Sequence, residues 1–255
     1  VRSAAGGSAG FLLDAGLRTR LAGAARARGA TPFMALFAAY AAFLARLTGR
    51  DDLVIGFPVS GRDRPELQEM VGMLTNTLAL RVDLSGDPSY GELIDRVRAE
   101  LLAGQPHQDA PFETVVDALA PPRDTSHDPV VQLVFAYDDD TDLSLALPGA
   151  RVERLELALD TAKFDFHLHV ERWEESDGGG AALAARFIYR SDLFEAATVR
   201  AWARNFRTLL EAALTRPGAP LSTLDAVPAE ERAAALVAAP TARPGPRPWT
   251  GWCPT

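Results

Sequence analysis

Apolar positions four apart at Leu13, Leu17 and Leu21 predict an amphipathic helix over 11–29, with Gly29 as its stop. A second helix is marked more sharply. Thr31 suits its N-cap, Pro32 its first turn and Gly49 its end. Its body, Phe33 to Leu47, is apolar on nearly every face, which predicts burial on most sides. Strands follow at Leu53–Pro58 and at Thr77–Val82, where Leu78, Leu80 and Val82 share one face. Pro88–Leu102 reads as a helix, and a shorter one starts at Pro111 with Glu113 in its first turn. The pattern then turns to β-type runs at Val130–Tyr137, Val152–Leu159, Phe164–Arg172 and Leu183–Tyr189. The last two predict a hairpin with a polar tip at Glu174–Gly180. A helix over Leu193–Thr215 is expected to turn Leu193, Val199, Phe206, Leu209, Leu210 and Leu214 inward.

After Arg216 the chain becomes rich in Pro, Ala and Gly and loses periodicity, as a linker or a frayed end does. The predicted layout is a disordered start at 1–10, one α/β domain at 11–215 with a mixed sheet packed by helices, and an irregular linker at 216–255. No internal repeat is present.

Composition narrows the class of protein. Of 255 residues 47% are hydrophobic and 24% charged, with a net charge of −8. An acidic surface is a poor counterion for phosphate, so nucleic acid is not the expected ligand. The lone Cys253 excludes a disulfide framework or a thiolate metal cluster. The longest apolar run, Pro32 to Ala45, is too short to span a bilayer, and the Gly- and Ser-rich start is unlike a signal peptide. A cytoplasmic location is expected. Lys163 is the only lysine, a bias that fits a GC-rich genome. Val1 in place of Met points to a GTG start or to a piece of a longer polypeptide.

The four histidines can be weighed singly. His167 and His169 lie two apart on a predicted strand and so face one side, which would suit a metal. With no third ligand nearby in sequence, polar residues on one strand face is the preferred reading. His127 sits in a turn-like RDTSHDP segment. His107 lies in HQDAPFE, a loop running into a helix, beside Gln108, Asp109 and Glu113. Taken alone, that segment reads as a helix N-terminus whose carboxylates satisfy free N–H groups. Signatures for a serine or cysteine nucleophile and a Gly-rich phosphate loop are absent.

Three segments in order, VGMLTNTLALR at 71–81, HQDAPFE at 107–113 and RDTSHDP at 123–129, closely resemble the last three signature motifs of condensation domains in nonribosomal peptide synthetases. DDLVIGFPVSGR at 51–62, KFDFHLHV at 163–170 and the segment 189–212 agree, so the resemblance covers residues 10 to 230. LSTLDAVPAEERAAAL resembles the connection from a condensation domain to an adenylation domain; WTGWCPT at 249–255 resembles nothing in that next domain.

The resemblance implies a single chloramphenicol acetyltransferase-like lobe, one of the two that form a V in that family. There, carrier proteins bring an acyl donor and an acceptor amine on phosphopantetheine arms into a tunnel, and an amide bond forms. The family's catalytic histidine belongs to an HHxxxDG motif of the N-terminal lobe, and this sequence has no such motif. The chain is therefore expected to be the C-terminal lobe, inactive alone, with no catalytic residue, metal or bound cofactor of its own. Phosphopantetheine would belong to its partners. Those implied are peptidyl or aminoacyl carrier proteins, the N-terminal lobe and an adenylation domain, with a homodimer through an exposed lobe interface also expected.

By position the resemblance assigns Asn76 and Thr77 to the tunnel floor and His107, Gln108 and Asp109 to the loop facing the chamber. Pro111, Phe112 and Glu113 shape the helix behind it, and Arg123, Asp124, Ser126 and Pro129 form a structural motif. Arg62 is a candidate for lining the tunnel, with a guanidinium that braces its own loop as the alternative. The motifs resemble amide-forming domains rather than epimerising ones, and cyclisation is less expected. Two other readings stand beside this one: a binding platform for a carrier or partner enzyme, and a remnant without a present role.

Overall fold

The computed structural model describes residues 3–62, 64–122, 124, 127–138, 160–174 and 181–238. Its first element is a strand, β1 (Gly6–Leu13), where a disordered start running into a helix was expected. Ala9, Phe11 and Leu13 alternate with exposed residues and face the core, a period of two that the four-residue spacing of Leu13, Leu17 and Leu21 obscures. Gly6 is needed there because a Cβ would lie 2.5 Å from the Thr161 carbonyl carbon. Helix α1 (Ala15–Ala27) starts only after Asp14, whose carboxylate accepts from the Leu17 N–H at 2.8 Å.

Helix α2 (Pro32–Thr48) forms as its punctuation predicts. The Thr31 hydroxyl accepts from the Met34 N–H, and Gly49 closes the helix in left-handed backbone at φ 69°. All ten residues from Ala35 to Leu44 are buried. A rod with no polar side needs partners all round. The sheet, α1, α4 (Tyr90–Gly104) and α6 (Ala196–Thr215) supply them. Tyr90 donates its hydroxyl to the Ala35 carbonyl at 2.9 Å, which satisfies a polar atom inside this contact.

The remaining elements are β2 (Asp52–Val59), the four-residue α3 (Pro65–Gln68), β3 (Asn76–Asp83), α5 (Phe112–Leu119), β4 (Leu133–Asp138), β5 (Phe166–Glu174), β6 (Ala181–Arg190) and α7 (Ala229–Ala238). They complete a mixed six-stranded sheet in the order β1-β6-β5-β4-β2-β3. β2, β4 and β5 run parallel to one another, and the other neighbours pair antiparallel, including the expected β5–β6 hairpin. Phe187 stacks on Phe166 at 4.8 Å and meets Phe43 of α2 at 5.7 Å and Phe206 of α6 at 5.8 Å, so sheet and helices share one aromatic core.

Two further expectations change. The last long helix starts at Ala196, leaving Leu193 exposed in the preceding turn. The segment after Arg216 is not loose at first: Leu221 and Leu224 are buried, and α7 follows. The polar tip at 175–180 and the strand expected at 152–159 lie outside the described residues, as do Arg123, Ser126 and 239–255. No single helix among the described residues is long and apolar enough to cross a membrane.

The end of β6 is pinned by a buried ion pair. Arg190 reaches Asp165 at 3.3 Å with both side chains 3% exposed, and binds Asp192 at 2.6 Å on the solvent side. Removing one partner leaves the other charge buried. Arg190→Ala, which takes the guanidinium away from the buried Asp165 carboxylate, is expected to lower the unfolding free energy by about 3–5 kcal/mol, measured by urea titration. Asp192→Ala, whose carboxylate is solvated, should cost far less.

Candidate functional site

Because β2, β4 and β5 are parallel, their carboxyl ends lie at one edge of the sheet, the usual place for a site in such topologies. β3 begins there, with Asn76 opposite Val59. The Asn76 carboxamide is fully engaged. Its Nδ2 donates to the carbonyls of Gln108 at 2.9 Å and Ala110 at 2.7 Å. Its Oδ1 accepts from the N–H of Phe112 at 3.2 Å and of Thr77 at 2.9 Å. Carbonyls on one side and N–H groups on the other leave a single orientation of the amide consistent with the network.

Two sequence motifs are thus joined by one side chain. Phe112 opens α5, and Pro111 before it carries no capping group, so Asn76 caps that helix from across the loop. The loop is a 3-10 turn at Gln105–His107 followed by a turn closed by Ala110 N–H on the His107 carbonyl. It leaves Gln108 half-buried and His107, Asp109 and Glu113 exposed. Glu113 stands in the first turn of α5, where a carboxylate complements the helix dipole. No residue of α5 is buried, and Leu119 is 61% exposed.

Arg62 lies in the loop that follows β2. Its guanidinium donates to the carbonyls of Leu67 at 2.6 Å, Met70 at 2.8 Å and Gly72 at 3.0 Å. Those bonds hold a bend whose apolar side chains point into solvent, Val71 at 100% and Met73 at 91% exposure. The third motif leads to the sheet face opposite the helices. Asp124 pairs with His127 at 3.6 Å, and Val131 donates to the Pro129 carbonyl at 2.6 Å across Val130, a β-branched residue held at φ 64°. Val131 presses onto Gly56 of β2, where a Cβ would lie 2.4 Å from its methyl.

Several contributors to this edge were missed in the sequence. Phe33 at the start of α2 meets Phe57 at 5.6 Å, Phe135 at 5.3 Å and Tyr137 at 6.4 Å, so aromatic packing supports the edge from below. A 400 Å³ groove beside it is lined by residues that include Arg18, Arg26, Pro32 and Tyr137. The lone glycine in the apolar run of β2 was a readable sign of close backbone approach. A larger groove of 920 Å³ lies at the opposite end of β2 and β3, with Arg81 and Asp52 paired beside it at 2.7 Å, away from Asn76 and the HQDAPFE loop.

His167 and His169 do share a face, their rings parallel with centroids 5.8 Å apart. His169 Nε2 pairs with Asp138 at 3.0 Å, which holds that carboxyl below its usual range. His167 Nε2 is buried without a partner among the described residues. Burial, and then the charges of His169 and Arg186, push its pKa down to about 4. Among the described residues no three His, Cys, Asp or Glu side chains are placed to hold a metal ion.

Comparison with known proteins gives one consistent match. The family model described as Condensation domain matches residues 1–236. The chain is 39% identical over 226 residues to a probable non-canonical nonribosomal peptide synthetase, CymA, of Salinispora arenicola, covering 89% of this chain and 3% of the relative. It is 41% identical over 204 residues to malpinin synthetase of Mortierella alpina, covering 80% of this chain and 3% of that one. Among solved structures, the X-domain from teicoplanin biosynthesis superposes with a TM-score of 0.78 at 29% identity, over 88% of this chain and 51% of that one. The four-domain synthetase AB3403, solved with AMP and glycine, shares the fold at a TM-score of 0.80 and 23% identity, over 91% of this chain and 18% of that one. The chain therefore spans a few per cent of the two curated synthetases and about half of the X-domain chain.

Asn76→Ala removes four hydrogen bonds at once. It is expected to cost about 2 kcal/mol and to speed amide exchange across 105–112 while β5 and β6 stay protected. Asn76→Asp should be worse than its size suggests, since it sets a carboxylate against two carbonyls. His167 makes stability depend on pH. Its folded pKa lies below the ordinary 6.5, so its contribution is full above pH 6.5, falls as pH drops towards 4, and levels off below. In wild-type protein minus His167→Leu, that fall should reach up to about 3 kcal/mol in urea unfolding.

Proposed function

The chain belongs to the condensation-domain family of nonribosomal peptide synthetases, and from that membership we propose that it serves as the C-terminal lobe of such a domain. The observation that carries this reading is the Asn76 carboxamide, which fixes the HQDAPFE loop at the carboxyl edge of the sheet with His107 and Asp109 turned outward. The coverage of the X-domain chain, about half, supports one lobe of two.

In this reading the acceptor amine attacks the donor thioester carbonyl, a C–N bond forms, the C–S bond breaks, and the carrier's phosphopantetheine thiol leaves. The amine's lost proton needs an acceptor. This sequence has no HHxxxDG motif, so that group is assigned to the other lobe. The lobe described here contributes position, through Asn76 and Thr77 in the floor and His107, Gln108 and Asp109 in the loop. Arg62 acts by holding the bend that displays Met70, Val71 and Met73, an apolar surface suited to the partner lobe. Carrier proteins and an adjacent adenylation domain are the further partners, in the cytoplasm.

A non-catalytic docking platform is the second reading. One structural neighbour favours it, the teicoplanin X-domain solved in complex with OxyB, at 29% identity and a TM-score of 0.78 over 89% of this chain and 50% of that one.

The test is to combine the chain with a separately produced N-terminal lobe bearing HHxxxDG and two aminoacylated carrier proteins, and to follow the acceptor carrier by intact mass. Dipeptidyl-carrier formed only by the pair of lobes, and lost with Val71→Asp/Met73→Asp, supports the lobe reading. Carrier binding without dipeptide, under conditions where an intact condensation domain works, supports the platform instead.

A further inference from the structure

A dense polar cluster outside the site lies where the chain leaves α6. Beyond Arg216 the backbone turns back over the ends of two other helices. Gly91 donates its N–H to the Pro217 carbonyl at 2.9 Å, Leu221 donates to Pro88 at 3.0 Å, and Ser89 and Pro220 form an antiparallel bridge. The two Nη atoms of Arg46, in the last turn of α2, reach the Ser222 carbonyl at 2.8 Å and the Leu224 carbonyl at 2.9 Å. Ser222 also donates its N–H to Asp87 Oδ1 at 2.8 Å and its hydroxyl to Oδ2 at 2.5 Å. Every polar group of Ser222 is therefore engaged, and Leu221 and Leu224 on either side are buried.

We infer that residues 216–224 form a strap that locks the ends of α2, α4 and α6 together, with Ser222 as its key, and that opens as a unit separate from the sheet. This goes beyond the proposed catalytic role and stands whether or not that role holds.

Three features distinguish a lock from an ordinary connection. A single planar guanidinium spans the carbonyls of Ser222 and Leu224, with the Leu221 carbonyl also in reach at 3.5 Å, a geometry that a lysine ammonium on its flexible stem cannot reproduce. Asp87 is held at φ 51°, an uncommon backbone for a residue with a Cβ, and both of its carboxylate oxygens are turned to one serine. Its carboxyl is held below the usual range by those same bonds. The lock also joins parts far apart in sequence, Arg46, Asp87 and Ser222. Opening it breaks the Arg46 and Asp87 bonds and the Ser89–Pro220 bridge and exposes two leucines without disturbing any pair within the six-stranded sheet, which is the signature of a local cooperative unit. Beyond the strap, Ala226 packs on the core and Glu231 of α7 pairs with Arg204 of α6, so the strap sets where α7 returns to the lobe.

Hydrogen exchange on the full chain, read by mass spectrometry with fragmentation, tests this. In the wild type the Gly91, Leu221 and Ser222 amides should exchange at least about 100-fold more slowly than free chain. Arg46→Lys and Asp87→Gly, the second relieving the backbone while removing both bonds, should each speed those amides about tenfold or more and leave α2 and β5 unchanged. Ser222→Ala, which keeps its backbone bonds, should give a smaller, equally local increase. Strap amides that exchange like free chain in the wild type overturn the inference. So do variants that leave them unchanged, or a rise spread evenly over the whole lobe.

Discussion

A seventeen-residue helix without a polar side persists in water only if something covers it everywhere, and the architecture is an answer to that demand. The sheet covers α2 from below, α1 and α4 meet its flanks, and α6 closes the aromatic seam through Phe206. The burial of Phe37, Tyr40 and Phe43 ties sheet curvature, helix placement and core composition to one element. The motif edge and the strap both hang from its ends. Phe33, at one end, supports the edge where the motifs gather, and Arg46, at the other, grips the strap.

At the motif edge the chemistry of a single amide does what a larger framework would otherwise do. The HQDAPFE loop has little buried surface, and α5 behind it has none that is fully covered. Such a segment would fray if its helix N-terminus were left open. Asn76 prevents that while leaving His107 and Asp109 free to face whatever occupies the edge. The exposed Val71 and Met73 beside it make sense in a surface that is covered in a larger assembly. They are costly to solubility in any other setting.

How far the sequence could be read depended on whether the deciding interaction was local. Thr31, Pro32 and Gly49 punctuate α2 by contacts within a few residues, and the helix falls where they place it. Leu78, Leu80 and Val82 show their shared face by alternation alone. β1 was hidden because its partner β6 lies far along the chain, and the Leu13–Leu17–Leu21 spacing imitated one continuous helix. The strap was hidden for the same reason: nothing in a Pro- and Ala-rich stretch shows that Arg46 and Asp87 await it. At the site, the family resemblance pointed to Asn76 and the His107 loop. The hydrogen bonds that join them could be seen only in three dimensions, as could the attachment of Arg62 to its own loop.

The pairing of the first strand with the last carries a consequence for how the molecule is made. A ribosome delivers Gly6–Leu13 before every other described strand, yet the edge it must join, Ala181–Arg190, emerges only after the other described strands of the sheet. Until then Phe11 and Leu13 have no partner strand, and the nascent chain carries an unpaired apolar segment with open backbone groups. Closure of this sheet is a late event in biosynthesis. The first five residues of the opening strand, Gly-Gly-Ser-Ala-Gly, are poor in the aliphatic residues that drive premature association, which confines the exposed apolar stretch to Phe11–Leu13 while it waits.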